Sequence, residues 1–230
     1  LHNDEQFGGR LKANYFSNDG TRYSGTLYGK LNDSFGLLGY FSTVDRNTME
    51  DGDDNKIYGT AADQDLTFLK ASGYIANNHY VSFSFEQRDE EGEFSARPNW
   101  VVPEGSPLYP SAAKRDTYVA NYRFDHSDAV YLKATAYQTS SSFRGGRFDW
   151  LAEIDTQGFD IRNTSETLNH SFTYGVDYRS DEVESGPAAG PKENSEESSV
   201  LGVYAQAHSH ITADLLFSYG VRYDDYEFQQ

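Results

Sequence analysis

The sequence predicts an all-β chain, an antiparallel up-and-down transmembrane β-barrel wall of about eleven strands. Three observations predict it. Segments of about ten residues alternate between apolar and polar side chains, the length and period of a strand crossing a bilayer at a tilt. Apart from the first, at Ser17–Gly20, connections alternate between tight and long, so one end of the sheet carries turns and the other carries loops, an asymmetry that soluble sandwiches and propellers lack. Apolar residues make up only 37% of the 230, yet aromatics reach 15%, a share of rings that argues against disorder.

The pattern is clearest over Asp155 to Val183, two strands joined by a turn near Glu166 to Asn169. On the second strand Leu168, His170, Phe172, Tyr174, Val176 and Tyr178 share one face. Asn169, Ser171, Thr173, Gly175, Asp177 and Arg179 share the other, because strand side chains alternate with period two. From the N-terminus, Gln6–Phe16 sets Leu11, Ala13 and Tyr15 against Arg10, Lys12 and Asn14. Ser17-Asn18-Asp19-Gly20 then turns the chain. Thr21–Leu31 and Phe35–Val44 form the next pair, with Asn32-Asp33-Ser34 as the turn. A polar loop, Asp45–Asp65, leads to Leu66–Ile75 and a tight turn at Ala76-Asn77-Asn78. In the fifth strand Val81, Phe83 and Phe85 oppose Ser82, Ser84 and Glu86. The loop Arg88–Ala113, with four of the six prolines, precedes a strand that sets Tyr118, Ala120, Tyr122 and Phe124 against Thr117, Asn121 and Arg123. Ala129–Thr139 follows a turn at Asp125–Asp128, and the predicted loops Ser140–Glu153 and Ser180–Ser198 flank the central pair. The last two strands carry Leu201, Val203, Ala205 and Ala207, then Leu215, Phe217, Tyr219 and Val221, around a turn at His210–Asp214.

With the polar faces turned inward, Arg10, Lys12, Lys30, Lys70, Arg115, Arg123, Lys133, Arg162, Arg179 and Arg222 line the interior. Glu86, Asp160, Asp177 and Asp224 are the acids expected beside them, while most other acids fall in the long loops. A chain of net charge -17 is thus expected to hold a basic lumen under an acidic rim. That net charge argues against a nucleic-acid partner. There is no cysteine, so no disulfide, thiolate metal site or cysteine nucleophile. No run of 18 apolar residues marks a membrane helix, and the polar Leu1–Arg10 is not a signal peptide. The acidic run from Glu50 fails as an EF-hand, since Lys56 and Ala62 stand where glycine and glutamate are needed. No nucleophile elbow, zinc-binding HExxH or P-loop is present, so the chain is not expected to be an enzyme, and no cofactor or metal is expected.

The segments Thr156–Ser165, His170–Glu182, Val200–Gln206 and Asp214–Tyr226 resemble barrel strands of TonB-dependent outer-membrane receptors. So do Arg115–Asp125 and the loop Glu86–Trp100. The resemblance implies a larger barrel of about 22 strands around a plug, of which residues 1–230 would be a partial barrel domain without the plug or the closing strands. It implies the bacterial outer membrane as location and a ferric siderophore or haem as cargo. It also implies TonB as the energy source, acting through the plug, with lipopolysaccharide as a neighbour. A basic lumen suits an anionic cargo. The alternative reading is a passive porin or a surface-binding adhesion barrel. The six histidines fall at turns, at the terminus or on the lipid-facing row, so none is expected to ligate haem. Ligand contact is expected instead from Phe94, Arg97, Trp100, Tyr109, Phe143, Arg144, Arg147 and Trp150, since rings stack on planar ligands and arginine pairs with carboxylates or catecholates.

Overall fold

The computed structural model describes residues 6–17, 20–95 and 102–230. The elements, in chain order, are β1 (Phe7–Phe16), β2 (Gly20–Lys30), β3 (Phe35–Arg46), β4 (Met49–Glu50), β5 (Lys56–Ile57), β6 (Ala62–Ala76) and β7 (His79–Phe94). They continue with β8 (Tyr109–Ser127), β9 (Val130–Gly145), β10 (Trp150–Glu166), β11 (His170–Pro187), β12 (Asn194–Thr212) and β13 (Leu215–Gln229). Eleven of these pair with their sequence neighbours in a single antiparallel meander, and β4 and β5 form a separate two-stranded hairpin. Within the described residues the sheet does not close on itself, since β1 and β13 each pair on one side only.

A strand's partners in an antiparallel ladder share its face, so the register sorts every side chain to one side or the other. One row across the sheet reads Phe83, Ala120, Ala136, Phe159, Tyr178 and Leu201. It belongs to the apolar face. The apolar side chains have no core to enter: among the described residues only Ala62 and Ala207 are buried hydrophobics, and Phe83 and Phe217 are 50% and 57% exposed. A sheet of this size with its greasy face bare is stable only when something apolar covers that face. Lipid does so for a barrel wall, in which all backbone groups are paired between strands. The apolar face is therefore the outward one.

The strands are longer than their alternation suggests. β9 runs to Gly145 and β10 begins at Trp150, so the expected loop Ser140–Glu153 shrinks to a turn over 146–149. The expected loop Ser180–Ser198 shrinks to 188–193, and the one over Arg88–Ala113 to 95–108. Past the apolar band the outward row turns to Asp116, Ser140, Asp155, Glu182 and Glu197 while the ladder continues unbroken. Outside the bilayer nothing requires an apolar outward face, so alternation fades where the lipid ends and the hydrogen bonding does not. Asp89, Glu90, Glu91, Glu93, Asp181, Glu182 and Glu184, read from sequence as loop acids, belong to strands.

Short connections join β2–β3, β6–β7, β8–β9, β10–β11 and β12–β13 at one end. The other end carries the three long connections, 47–61 with the hairpin β4–β5, 95–108 and 188–193, beside short links over 17–19 and 146–149. In that hairpin Asp51 Oδ1 accepts from the backbone amides of Asp53 and Asn55, each at 2.9 Å, which holds the Asp51 carboxyl below its usual range. The acidic run is thus a self-capped turn, with Asp54 in the left-handed region at φ 60°.

Candidate functional site

Extending the strands decides where the expected ligand contacts face. Phe94 pairs with Tyr109 across β7 and β8, Phe143 lies on β9 between Ala113 and Ala152, and Trp150 opens β10 opposite Gly145. All four rings sit on the inward face at the end of the longer connections. Among the described residues none of the four stacks on another ring, and Phe143 is 48% exposed. Phe94, Tyr109 and Trp150 are half-buried, so the four rings form an inward set spread over four strands at the mouth of the wall.

The arginines expected beside them are placed differently. Arg144 follows Phe143 and so faces outward, where Nε and Nη2 donate to the two carboxylate oxygens of Asp149 at 2.7 Å each. Arg147 lies in the turn, 5.6 Å from the Phe148 ring centre. Arg97 and Trp100 lie outside the described residues, as does the rest of the segment Ala96–Val101. Above the patch, Glu104 accepts a hydrogen bond from the Tyr58 hydroxyl, which pushes that phenol above its usual range and ties two of the long connections together.

The Arg144 fork holds the Asp149 carboxyl below the usual carboxylate range. A depressed carboxyl supports the turn at all pH values above its unfolded pKa of about 3.9 and loses that support as pH falls through the lower folded value. Fluorescence of Trp150, which borders the turn, should therefore stay flat down to about pH 4 and change below it. In Arg144→Gln the step should move up into the ordinary carboxylate range. An unchanged titration in the variant would show that the pair does not hold the turn.

Deeper on the inward face the charges form two tiers. One ladder row reads Tyr74, Tyr80, Arg123, Lys133, Arg162, Gly175, Tyr204 and Arg222. The parallel row nearer the mouth carries Asp160, Asp177 and Asp224 around Gly202. Arg222 forks onto Asp177 at 2.7 and 2.8 Å and donates through Nε to Asp224 at 2.7 Å. Tyr204 donates to Asp160 at 2.7 Å, and Arg162 lies 3.3 Å from the same carboxylate. The glycines make room for this. A Cβ at Gly202 would fall 2.2 Å from Arg222 Nη2, and one at Gly175 would fall 2.8 Å from the Tyr204 hydroxyl.

The lumen is therefore less basic than the sequence suggests. Arg115 is bound to Glu86 and Arg179 to Asp181, an inward acid that the loop assignment had removed from the interior. Among the described residues Arg10, Lys12, Lys30, Lys70, Arg123 and Lys133 form no ion pair. Arg123 instead donates to the Tyr74 hydroxyl at 3.0 Å and lies 4.9 Å from the Tyr80 ring centre. Lys133 lies 4.7 Å from the Tyr131 ring centre. The histidines keep to the end with the short turns. His79 contacts the Tyr122 hydroxyl at 2.7 Å and stacks on Phe124, while His170 contacts Ser209. His2 lies outside the described residues.

No protein-family model matches the chain. Among characterised proteins it is 35% identical over 83 residues to the "Heme/hemopexin utilization protein C" of Haemophilus influenzae, a match covering 33% of this chain and 12% of that protein. Among solved structures it is similar to the FrpB iron transporter of Neisseria meningitidis, at TM-score 0.86 and 18% identity over 98% of this chain and 42% of that one. It also resembles the hemophore receptor HasR of Serratia marcescens, solved with its hemophore and heme, at TM-score 0.84 and 20% identity over 98% and 34%. A third likeness is to the ferripyoverdine receptor of the Pseudomonas aeruginosa outer membrane, at TM-score 0.79 and 14% identity over 97% and 38%. These are transport and receptor proteins, not enzymes, and the chain spans well under half the length of each. The chain thus has the fold of a run of eleven strands from the barrel wall of these solved transporters and receptors.

Proposed function

We propose that this wall serves an outer-membrane receptor that takes up an iron chelate, with energy supplied by TonB through the plug domain such receptors carry. The observation that carries the reading is the inward patch of Phe94, Tyr109, Phe143 and Trp150 at the mouth. Inward rings from four strands suit a flat, conjugated ligand. A local sequence likeness to a protein named for heme and hemopexin utilization supports haem as the cargo. Arg123 and Lys133, without carboxylate partners deeper in the wall, supply a field that draws an anionic chelate inward.

The test is binding of haem by the full-length protein in detergent, followed by its Soret band. Stacking contributes about 1 kcal/mol per ring, so Phe143→Ala and Trp150→Ala should each weaken binding about five-fold. Phe148→Ala, whose ring lies in the turn and is 76% exposed, serves as the control and should change little. Equal affinities in all three variants would remove the patch from the site. Tight binding of a ferric siderophore with none of haem would reassign the cargo.

A further inference from the structure

The unpaired cations of the wall are gathered on one side of it. On the inward face of β1, β2, β3 and β6 stand Arg10, Lys12, Arg22, Lys30, Arg46 and Lys70. Those four strands have Asp45, Asp63 and Asp65 as their acids, and all three alternate to the outward face, so this sector holds no inward carboxylate. From β7 to β13 the inward arginines stand among Glu86, Glu90, Asp160, Asp177, Asp181 and Asp224, and most are bound to them. Arg46 is held by the carbonyl of Thr60, to which its Nε donates at 3.0 Å. The other cations of the sector are exposed and form no ion pair among the described residues.

The register sets them in order. Going down from the mouth, Arg22 faces Asn14, Lys12 faces Ser24, and Arg10 faces Thr26. Tyr28 shares the next row with Lys70, and Lys30 follows beside Gly36. Rows succeed one another every two residues, about 7 Å of strand. That is inside the screening length of about 8 Å at physiological salt, so the field of one cation reaches the next row. Ser24, Thr26 and Tyr28 place hydroxyl donors between the cations. Tyr28 lies over Gly8, where a Cβ would fall 2.6 Å from its ring. One row beyond Lys30, on β8 and β9, lie Arg123 and Lys133.

We infer that this sector is an anion track, along which the acidic groups of the chelate pass from the mouth toward the end with the short turns. The inference rests on the uptake reading for its cargo and on the register for its place. Each row offers a cation and no acid, so an anion is attracted at every step and held tightly at none, which favours passage over storage. A run of one sign along the wall also concentrates anions beside it. Carboxylates of the plug, laid against the same cations, are the competing occupant.

The first test needs no cargo. In the full-length protein Lys12, Lys30 and Lys70 should react with an amine-acetylating reagent as fast as Lys56 of the exposed β4–β5 hairpin. Citrate, a small trianion, should slow the three about threefold and leave Lys56 unchanged. Slow labelling without citrate would assign the lysines to the plug and overturn the track, and so would labelling that citrate does not alter. The second test is haem uptake by cells producing the full-length receptor. Lys30→Gln with Lys70→Gln should slow uptake about tenfold, the low end of what a focused field supplies, and leave haem affinity by the Soret band unchanged. Lys30→Arg with Lys70→Arg should keep the parent rate, and Lys114→Gln, the same charge removed from the outward face, should be silent. The track is overturned if the glutamine pair takes up haem at the parent rate, or if its rate and affinity fall together. A parent protein that binds no haem would defeat the uptake reading instead, and the citrate labelling would still decide the track.

Discussion

Replacing Val203 with arginine should abolish most folding into a bilayer, while the same change three residues along, at Gln206, should be tolerated. Val203 lies near the middle of the apolar band, paired with Val176 on β11 and Tyr223 on β13, and is 49% exposed on the outward face. A cation placed there meets hydrocarbon, and for barrels the penalty at the midplane is about 2–4 kcal/mol. Gln206 alternates to the inward face, beside Thr173 and Gly220, where an added cation meets water. The measurement is the folded fraction of the full-length protein in lipid vesicles, read from its gel mobility without heating across a denaturant series. A soluble sandwich would give the same ranking only if Val203 were packed in a closed core, and the exposures exclude that packing. Equal tolerance of both changes would remove the membrane assignment, and the anion track and the inward mouth patch would go with it.

The strand order and the faces were legible because a bilayer imposes period-two alternation on every strand that crosses it. Phe83, Tyr122, Phe172 and Phe217 sit on the face that their alternation assigns. Strand ends were not legible for the same reason. Ser140, Ser142, Glu182 and Glu184 have polar neighbours on both faces, and only the hydrogen-bonded register shows that β9 and β11 continue through them. This mattered for the site. Phe143 and Arg144, taken together as loop residues, looked like joint ligand contacts, but adjacent strand residues must face opposite ways. The signal that could have separated them was the parity running from Lys133 and Thr135 up to Phe143, once the strand is carried to Gly145. Pairing within the lumen was also hidden. Asp181 joins Arg179 two residues away on the same face, a contact that exists only if the strand extends that far.

Removing both Arg222 and Asp177 should cost the barrel less than the sum of removing each alone. Exposed ion pairs usually contribute little, but this one is bidentate and belongs to a network. Arg222 is held by Asp177 at both nitrogens of its fork and by Asp224 at Nε. Its guanidinium occupies the space left by Gly202 and lies 5.7 Å from the Tyr204 ring centre. Arg222→Met leaves Asp177 and Asp224 facing one another across the strands with no cation between them. Asp177→Leu leaves the arginine with one partner and a poorly directed fork. In the double variant the repulsion and the stranded fork both disappear, so the coupling should show as non-additivity in the denaturant midpoint of the full-length protein. Gly202→Val should resemble Arg222→Met, because its first side-chain carbon would take the position that the guanidinium needs. Strict additivity, with Gly202→Val silent, would mean that the tier of acids on β11 and β13 is held by the backbone ladder alone and that Arg222 merely rests against it.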